Sequence, residues 1–178
     1  MKYAQIREMD VSNGKNIGVA LFVQGCHFSC KNCFNPETHD FNGGKEWTLE
    51  TEKQFIKLAD RPYIKRISLL GGEPLADENL DDMLNLVNKI RLSLPKKIIW
   101  LYSGYTLEQI TFPICINQPP KLNEQKRIDI IKQCDVLVDG RYIDELKDIT
   151  LKFRGSSNQR VIDIQETLKQ NKIILYCD

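Results

Sequence analysis

A chain of 178 residues is long enough for one domain with a real hydrophobic core, and 42% hydrophobic against 28% charged residues is an ordinary soluble, globular balance. With 25 basic and 24 acidic residues the net charge is +1, which offers no basic surface to nucleic acid or to an anionic membrane. The apolar runs are too short to span a bilayer and no signal-peptide pattern opens the chain, so a cytoplasmic location is expected, one that keeps its six cysteines reduced.

Lys2 to Arg7 and Ile17 to Val23 read as two strands joined at Asn13-Gly14, a strong hairpin-turn pair. The second strand runs into Gln24-Gly25-Cys26-His27-Phe28-Ser29-Cys30-Lys31-Asn32-Cys33-Phe34-Asn35-Pro36, a loop with cysteines three and then two residues apart. Thiolates so close together in a reducing compartment call for a metal before they call for disulfides. Three ligands from one loop can hold three irons of a four-iron cubane and leave the fourth iron without a protein ligand, an open position of the catalytic kind. Zinc, with His27 or His39 as fourth ligand, and plain buried or redox cysteines are the alternatives.

Beyond Asn42-Gly43-Gly44, Thr48 is a candidate N-cap with Glu50 and Glu52 in the first turn of a helix. Leu49, Phe55, Ile56 and Ala59 are expected on its inner face, and Pro62 bars its continuation. Ile64 to Leu70 reads as a buried strand ending at Gly71-Gly72-Glu73-Pro74, where paired glycines let the backbone approach a ligand closely. A plain turn is the bland reading of Gly-Gly; the cysteine loop upstream disfavours it. The helix of about 77–91 carries Leu80, Met83, Leu84, Val87 and Ile90 at helical spacing, a core stripe with no assigned function.

Ile98 to Tyr102 is a further strand, ending at Ser103-Gly104-Tyr105, and Thr106 is a candidate cap for a short helix. Residues 112–123, with Pro113, Pro119 and Pro120, read as a loop or insertion. A helix of about 124–133 feeds the strand Val136 to Val138, which ends at Asp139-Gly140, and 161–164 and 173–176 are short strand candidates. Alternating strands and helices imply right-handed crossovers and a mostly parallel sheet. The units are too few for a closed eight-stranded barrel, which takes about 250 residues, so an open, partial (β/α) barrel in one domain over residues 1–178 is the expected α/β fold. In such folds ligands bind at the carboxyl ends of the strands, where the cysteine loop, Gly71-Gly72-Glu73, Ser103-Gly104 and Asp139-Gly140 all fall.

The cysteine loop together with Gly71-Gly72-Glu73-Pro74 resembles the radical S-adenosylmethionine (SAM) enzymes. Phe22-Val23-Gln24-Gly25-Cys26, Cys33-Phe34-Asn35-Pro36-Glu37-Thr38, Tyr102-Ser103-Gly104-Tyr105, Val136 to Tyr142 and Arg154-Gly155-Ser156-Ser157-Asn158-Gln159-Arg160-Val161-Ile162-Asp163 narrow the resemblance to the activating proteins of anaerobic ribonucleoside-triphosphate reductase. The chain departs from that family's pattern at Lys15-Asn16-Ile17-Gly18-Val19-Ala20, which lacks an acidic residue and an arginine usual there, and at Asn32, where many radical SAM enzymes carry an aromatic.

The resemblance implies a radical SAM barrel and a 4Fe–4S cluster on Cys26, Cys30 and Cys33, with SAM chelating the open iron and no catalytic residue beyond the cluster ligands. It implies backbone groups of Gly71, Gly72 and Glu73 at the methionine amino group, and Asn32, Cys33 and Phe34 at the adenine; Ser103 joins that cofactor site. Glu73 is expected to be a structural anchor rather than an acid or base. Reductive cleavage of SAM would give methionine and a 5′-deoxyadenosyl radical that takes a hydrogen from a glycine of the partner reductase, with ferredoxin or flavodoxin as electron donor. Arg154 to Arg160 would close over the cofactor or meet the partner. Cys115, Cys134 and Cys177 are expected to be isolated cysteines that behave as small buried hydrophobes. A radical SAM enzyme acting on a small molecule, such as a 7-carboxy-7-deazaguanine synthase, and a non-catalytic zinc-binding module are the competing functions.

Overall fold

The computed structural model describes residues 1–115 and 119–177, without the side chains of 112–115. Its centre is one mixed sheet of eight strands in the order β3-β1-β2-β4-β5-β6-β7-β8. These are β1 (Lys2–Asp10), β2 (Gly18–Val23), β3 (Lys45–Glu46), β4 (Arg66–Gly71), β5 (Ile98–Tyr102), β6 (Val136–Asp139), β7 (Arg160–Asp163) and β8 (Leu175–Cys177). The helices are α1 (Leu49–Asp60), α2 (Leu80–Ser93), α3 (Leu107–Cys115), α4 (Leu122–Gln133) and α5 (Ile164–Gln170). The expected mostly parallel sheet is corrected. Only β2, β4, β5 and β6 pair in parallel, while β1 and β3 on one side and β7 and β8 on the other pair antiparallel. The helical crossovers lie between the four central strands, and at either end of the sheet the chain reverses direction, through residues 11–17 between β1 and β2 and through residues 140–159 between β6 and β7.

Alternation along the central strands divides their side chains between two faces. Val19, Leu21, Ile67, Leu69, Ile99, Leu101 and Leu137 join the stripe Leu80, Met83, Leu86, Val87 and Ile90 of α2 in the main core. The opposite face carries Ala20, Phe22 and Leu70 in one cluster and Trp100, Val136 and Val138 in another, with Tyr102 packed against both.

Two residues on that face are polar and fully buried, Arg66 and Ser68. Arg66 donates to Asp10 Oδ2 at 2.8 Å, to the Asp10 carbonyl at 2.9 Å and to the Lys15 carbonyl at 3.1 Å, and it also bonds the Asn13 carbonyl and Ser68. The hairpin is therefore not closed by a tight Asn13-Gly14 turn. Its strands part at Asp10 and Gly18, and residues 11–17 wrap round the guanidinium. Gly14, at φ +127°, lies where a Cβ would stand 2.6 Å from Arg66 Cδ and 2.8 Å from the Trp100 ring.

Thr48 caps α1, its hydroxyl accepting from Thr51 N at 3.1 Å. Phe55 and Ala59 of that helix are buried as expected, whereas Leu49, at the first helical position, is 72% exposed. Thr106 faces α3 with the reciprocal pair expected of a cap. Its hydroxyl accepts from Gln109 N at 3.3 Å, and Gln109 Oε1 accepts from Thr106 N at 2.8 Å. The loop expected over 112–123 is narrowed, because α3 continues to Cys115 and α4 begins at Leu122; the side chains of Pro113 and Cys115 lie outside the described residues. Among the described residues no helix is long and apolar enough to cross a membrane.

Candidate functional site

The four parallel strands end on one side of the molecule, against a cavity of about 550 Å³, within the range of small-molecule and cofactor sites. Cys26, Cys30, Cys33, Phe34, Gly71, Gly72, Glu73, Ser103, Gly140 and Arg154 all line it, with Phe22, Leu70, Tyr102 and Val138 supplying an apolar wall. Eight of the sequence-derived site residues thus converge. Asn32 does not line the cavity; its side-chain amide turns outward and donates to Asp144 Oδ2 at 2.7 Å.

The cysteine loop is built from its base upward. Gln24, almost fully buried, donates through Nε2 to the carbonyls of Glu37 at 3.0 Å and Asp40 at 2.8 Å, tying both ends of the loop together. Gly25 N and Cys26 N donate to the Thr38 and His39 carbonyls. All three thiols are free and half-buried, and burial pushes the Cys26 and Cys33 thiols above the ordinary cysteine value. Ser29 and Asn32 hold left-handed backbone, at φ 46° and 54°, which lets so short a loop turn twice. His27 faces away, its Nε2 2.9 Å from Glu78 Oε1 and its ring packed on Phe41. Among the described residues no three His, Cys, Asp or Glu side chains are gathered to share a single metal ion. Three thiols that each bind a different iron of a cubane need no such convergence.

Gly71-Gly72 docks directly under this loop. Gly72 N donates to the Val23 carbonyl at 2.9 Å and Glu73 N to the Gly25 carbonyl at 2.7 Å. A Cβ at Gly72 would stand 2.4 Å from the Gly25 oxygen and 3.0 Å from the Thr38 oxygen, so only glycine allows this approach. Gly72→Ala is expected to push the glycine strand end and the cysteine loop apart at a cost of about 1–3 kcal/mol, read as a lower denaturation midpoint at unchanged slope.

Glu73 is buried and anchors the neighbouring strand end. Its Oε1 accepts from Leu75 N at 2.8 Å and Ser103 Oγ at 2.9 Å, and its Oε2 from Gly104 N at 2.7 Å. Burial pushes its carboxyl up to about 7, against the pull of those three donors. The folded chain then keeps a proton that the unfolded chain releases near pH 4.5, so stability falls as pH rises from about 4.5 to about 7 and levels off above. The expected loss across that window is on the order of 3 kcal/mol. Denaturation of the metal-free chain across pH should show this slope and Glu73→Gln should lack it; equal slopes in both would contradict the assignment.

Among the described residues two polar side-chain atoms are buried without a hydrogen-bond partner, Tyr102 Oη and Arg154 Nε, and both residues line the cavity. Unpaired buried groups beside an open cavity fit a site completed by a polar ligand. The donor set, three soft thiols on one loop, fits an iron–sulfur cluster.

Several pairings at this end of the molecule escaped the sequence reading, although Asp139 and Arg160 themselves fall in stretches it singled out. Asp139 takes Arg160, which also binds Glu108 bidentately at 2.8 and 2.7 Å, and Asp139 Oδ2 accepts Leu107 N at 2.8 Å. That guanidinium holds the Glu108 carboxyl down at about 2. Arg141, Tyr142 and Asp144 touch the cysteine loop from more than 100 residues away in sequence. Contacts at that range leave no local signal, although Arg141 and Tyr142 fall within a stretch already singled out by resemblance.

A protein-family profile described as "4Fe-4S single cluster domain" matches residues 12–162. Fold, thiol loop and profile together define an iron–sulfur protein with one four-iron cluster domain. The chain is 37% identical over 163 residues to the anaerobic ribonucleoside-triphosphate reductase-activating protein of Escherichia coli K12, covering 90% of this chain and 97% of that one. The protein of the same name from Vibrio cholerae is 37% identical over 161 residues, covering 89% and 96%. That of Enterobacteria phage T4 is 34% identical over 161 residues, covering 90% and 93%. The chain belongs to the anaerobic ribonucleoside-triphosphate reductase-activating protein family and is an iron–sulfur activase.

Proposed function

We propose that this chain generates the glycyl radical of an anaerobic ribonucleotide reductase, using a 4Fe–4S cluster and SAM. The observation that carries the reading is the convergence of Cys26, Cys30 and Cys33 with the Gly71-Gly72-Glu73 backbone on one cavity at the carboxyl ends of parallel strands. Cys26, Cys30 and Cys33 would hold the cluster, which when bound would supply the electron for reductive cleavage of SAM to methionine and a 5′-deoxyadenosyl radical able to take a hydrogen atom from a glycine α-carbon of the reductase, leaving 5′-deoxyadenosine and the glycyl radical.

The chain's own residues bind, orient and exclude water. Cys26, Cys30 and Cys33 hold the cluster from a loop closed at its base by Gln24. The backbone of Gly71, Gly72 and Glu73 offers polar groups to the methionine amino end, and Ser103 stays fixed on Glu73 beside them. Phe34 lies against Tyr142 with ring centroids 5.0 Å apart and supplies an apolar side for the adenine, with Cys33 and the Asn32 backbone at the same turn. Helices cover one face of the sheet and the cavity lies against the other, which supports reading the sheet as an open, partial radical SAM barrel in a single domain. An open side suits a protein substrate. The electron comes from flavodoxin or ferredoxin, and the protein works in the cytoplasm.

The test is to reconstitute the chain anaerobically with iron and sulfide, reduce it, add SAM and quantify 5′-deoxyadenosine with and without the cognate reductase. Cleavage coupled to activation of the reductase supports the reading. Cleavage that activates no reductase favours a small-molecule enzyme, and one bound zinc with no cleavage favours a non-catalytic module.

A further inference from the structure

Residues 141–147 form a strap across the cysteine loop that contacts both gaps between the cysteines and the residue after the last. In the first gap Arg141 Nη2 donates to the Phe28 carbonyl at 2.6 Å, with its guanidinium 4.9 Å from the Phe28 ring centroid. In the second gap Asp144 accepts from Asn32 Nδ2 at 2.7 Å and Glu145 accepts from Lys31 Nζ at 3.0 Å. Past the third cysteine, Tyr142 packs on Phe34, over which Lys147 also sits with its Nζ 5.6 Å from the ring centroid. The Tyr142 hydroxyl donates to Asp144 Oδ1 at 2.9 Å, which fixes the carboxylate that receives Asn32.

Behind the strap lies the Arg154–Arg160 stretch, and several of its polar groups bond the strap or the residues that flank it. Asn158 Nδ2 donates to the Arg141 carbonyl at 2.8 Å, and Gln159 Nε2 to the Gly140 carbonyl at 3.0 Å. The fully buried Ser156 accepts from Ile143 N at 3.2 Å. Ser157 N donates to the Leu146 carbonyl at 2.9 Å, and Asp148 N to the Gly155 carbonyl at 3.2 Å. Gln159 Oε1 in turn accepts from Gly155 N at 2.9 Å and Ser156 N at 3.2 Å, which rigidifies the stretch itself. A Cβ on Gly155 would stand 2.5 Å from the Phe34 ring, so the stretch also abuts the loop directly.

We propose that Arg154–Arg160 serves the cluster at second hand, as the backing that holds the 141–147 strap on the cysteine loop, with Asp144, Ser156 and Asn158 as positioning residues. The inference rests on the cluster reading above. Exposed ion pairs such as Lys31–Glu145 stabilise little singly. Together with the Arg141–Phe28 and Asn32–Asp144 contacts, which reach both gaps of one loop, they restrict a short segment that carries two left-handed residues and would otherwise sample many ligand geometries. Groups that orient metal ligands typically change metal affinity about 10–100-fold when removed.

The test compares wild type with Asp144→Ala and with the double variant Ser156→Ala/Asn158→Ala, neither of whose side chains lines the cavity. In the metal-free chain, amide hydrogen exchange over residues 28–34 should accelerate in both variants while the melting temperature stays close to wild type. In the reconstituted chain, iron release to a chelator should be about tenfold faster or more, and the paramagnetic resonance spectrum of the reduced cluster should broaden. Asp144→Asn, which still accepts the Asn32 amide, should restore all three. Combining the changes should add little to either alone, because both act through one strap. Unchanged exchange and iron release with lost capture of the reductase would overturn the proposal in favour of a partner contact. Unchanged exchange with lost SAM binding would overturn it in favour of a cofactor contact. A wild-type chain that never takes up a four-iron cluster would defeat the underlying reading instead.

Discussion

Alanine at any one of Cys26, Cys30 or Cys33 is expected to leave the reconstituted protein without a stable four-iron cluster and without activase activity. On the proposed reading each thiol is one of three cluster ligands, and removing one would leave two irons of the cubane without a protein ligand. The loss should exceed the roughly 10–100-fold that outer-shell changes cost at metal sites. Among the described residues neither Cys134 nor Cys177 is poised to substitute. Cys134 is fully buried beneath α4, its thiol pushed up to about 12 by burial and donating to the Ile130 carbonyl at 3.3 Å. Cys177, expected to be buried, is only half-buried, because it lies on β8 at the far edge of the sheet. Cys177→Ser should therefore keep full iron and sulfide, measured beside the three loop variants by colorimetric iron and sulfide determination. Full cluster content in any of the three alanine variants would remove that cysteine from the ligand set.

The second large effect is on stability and comes from Arg66→Met. Arg66 and Asp10 form an ion pair in which both side chains are buried, 2.8 Å apart. Removing the guanidinium leaves the Asp10 carboxylate without its cation and the Lys15 carbonyl without the donor that caps it, while the Asn13 carbonyl keeps only Ser68 Oγ. Breaking such a pair by deleting one partner costs about 3–5 kcal/mol, a large share of the stability of a domain this size. The wrapped turn of residues 11–17 should loosen with it, and Ser12 and Asn13 of that turn line the cavity. Urea denaturation is the measurement, and a change below about 1 kcal/mol would show that the pair is solvated in solution. Asp10→Asn in the Arg66→Met background should recover part of the loss, because it removes the uncompensated charge.

The central parallel strands, the helix stripes and the cavity's ligand candidates were legible because each has a local signature. Thr48 precedes its helix as a cap should, the α2 stripe repeats at helical spacing, and the cysteines and paired glycines punctuate strand ends. What was not legible depends on partners far away in sequence. The turn 11–17 looked like an Asn-Gly hairpin, and only Arg66, some 50 residues on, makes it a wrapped loop. The two-residue β3 carries no periodicity to read, and although strands were expected near β7 and β8, nothing local sets their antiparallel pairing on β6. Helix α5 hid behind the strand candidate 161–164, although Asp163, which accepts from Glu166 N at 3.0 Å, and Glu166 three residues on form the start signal of a helix. The strap on the cysteine loop belongs with these, since its contacts bridge more than 100 residues.

The most direct measurement of the central claim is electron paramagnetic resonance on the reduced, reconstituted chain with SAM, recorded before and after adding its anaerobic reductase. The expected result is a reduced-cluster signal that decays as a glycyl doublet grows on the reductase, in proportion to the 5′-deoxyadenosine formed. A cluster signal that persists in the presence of SAM and reductase, with no protein radical and no 5′-deoxyadenosine, would contradict it.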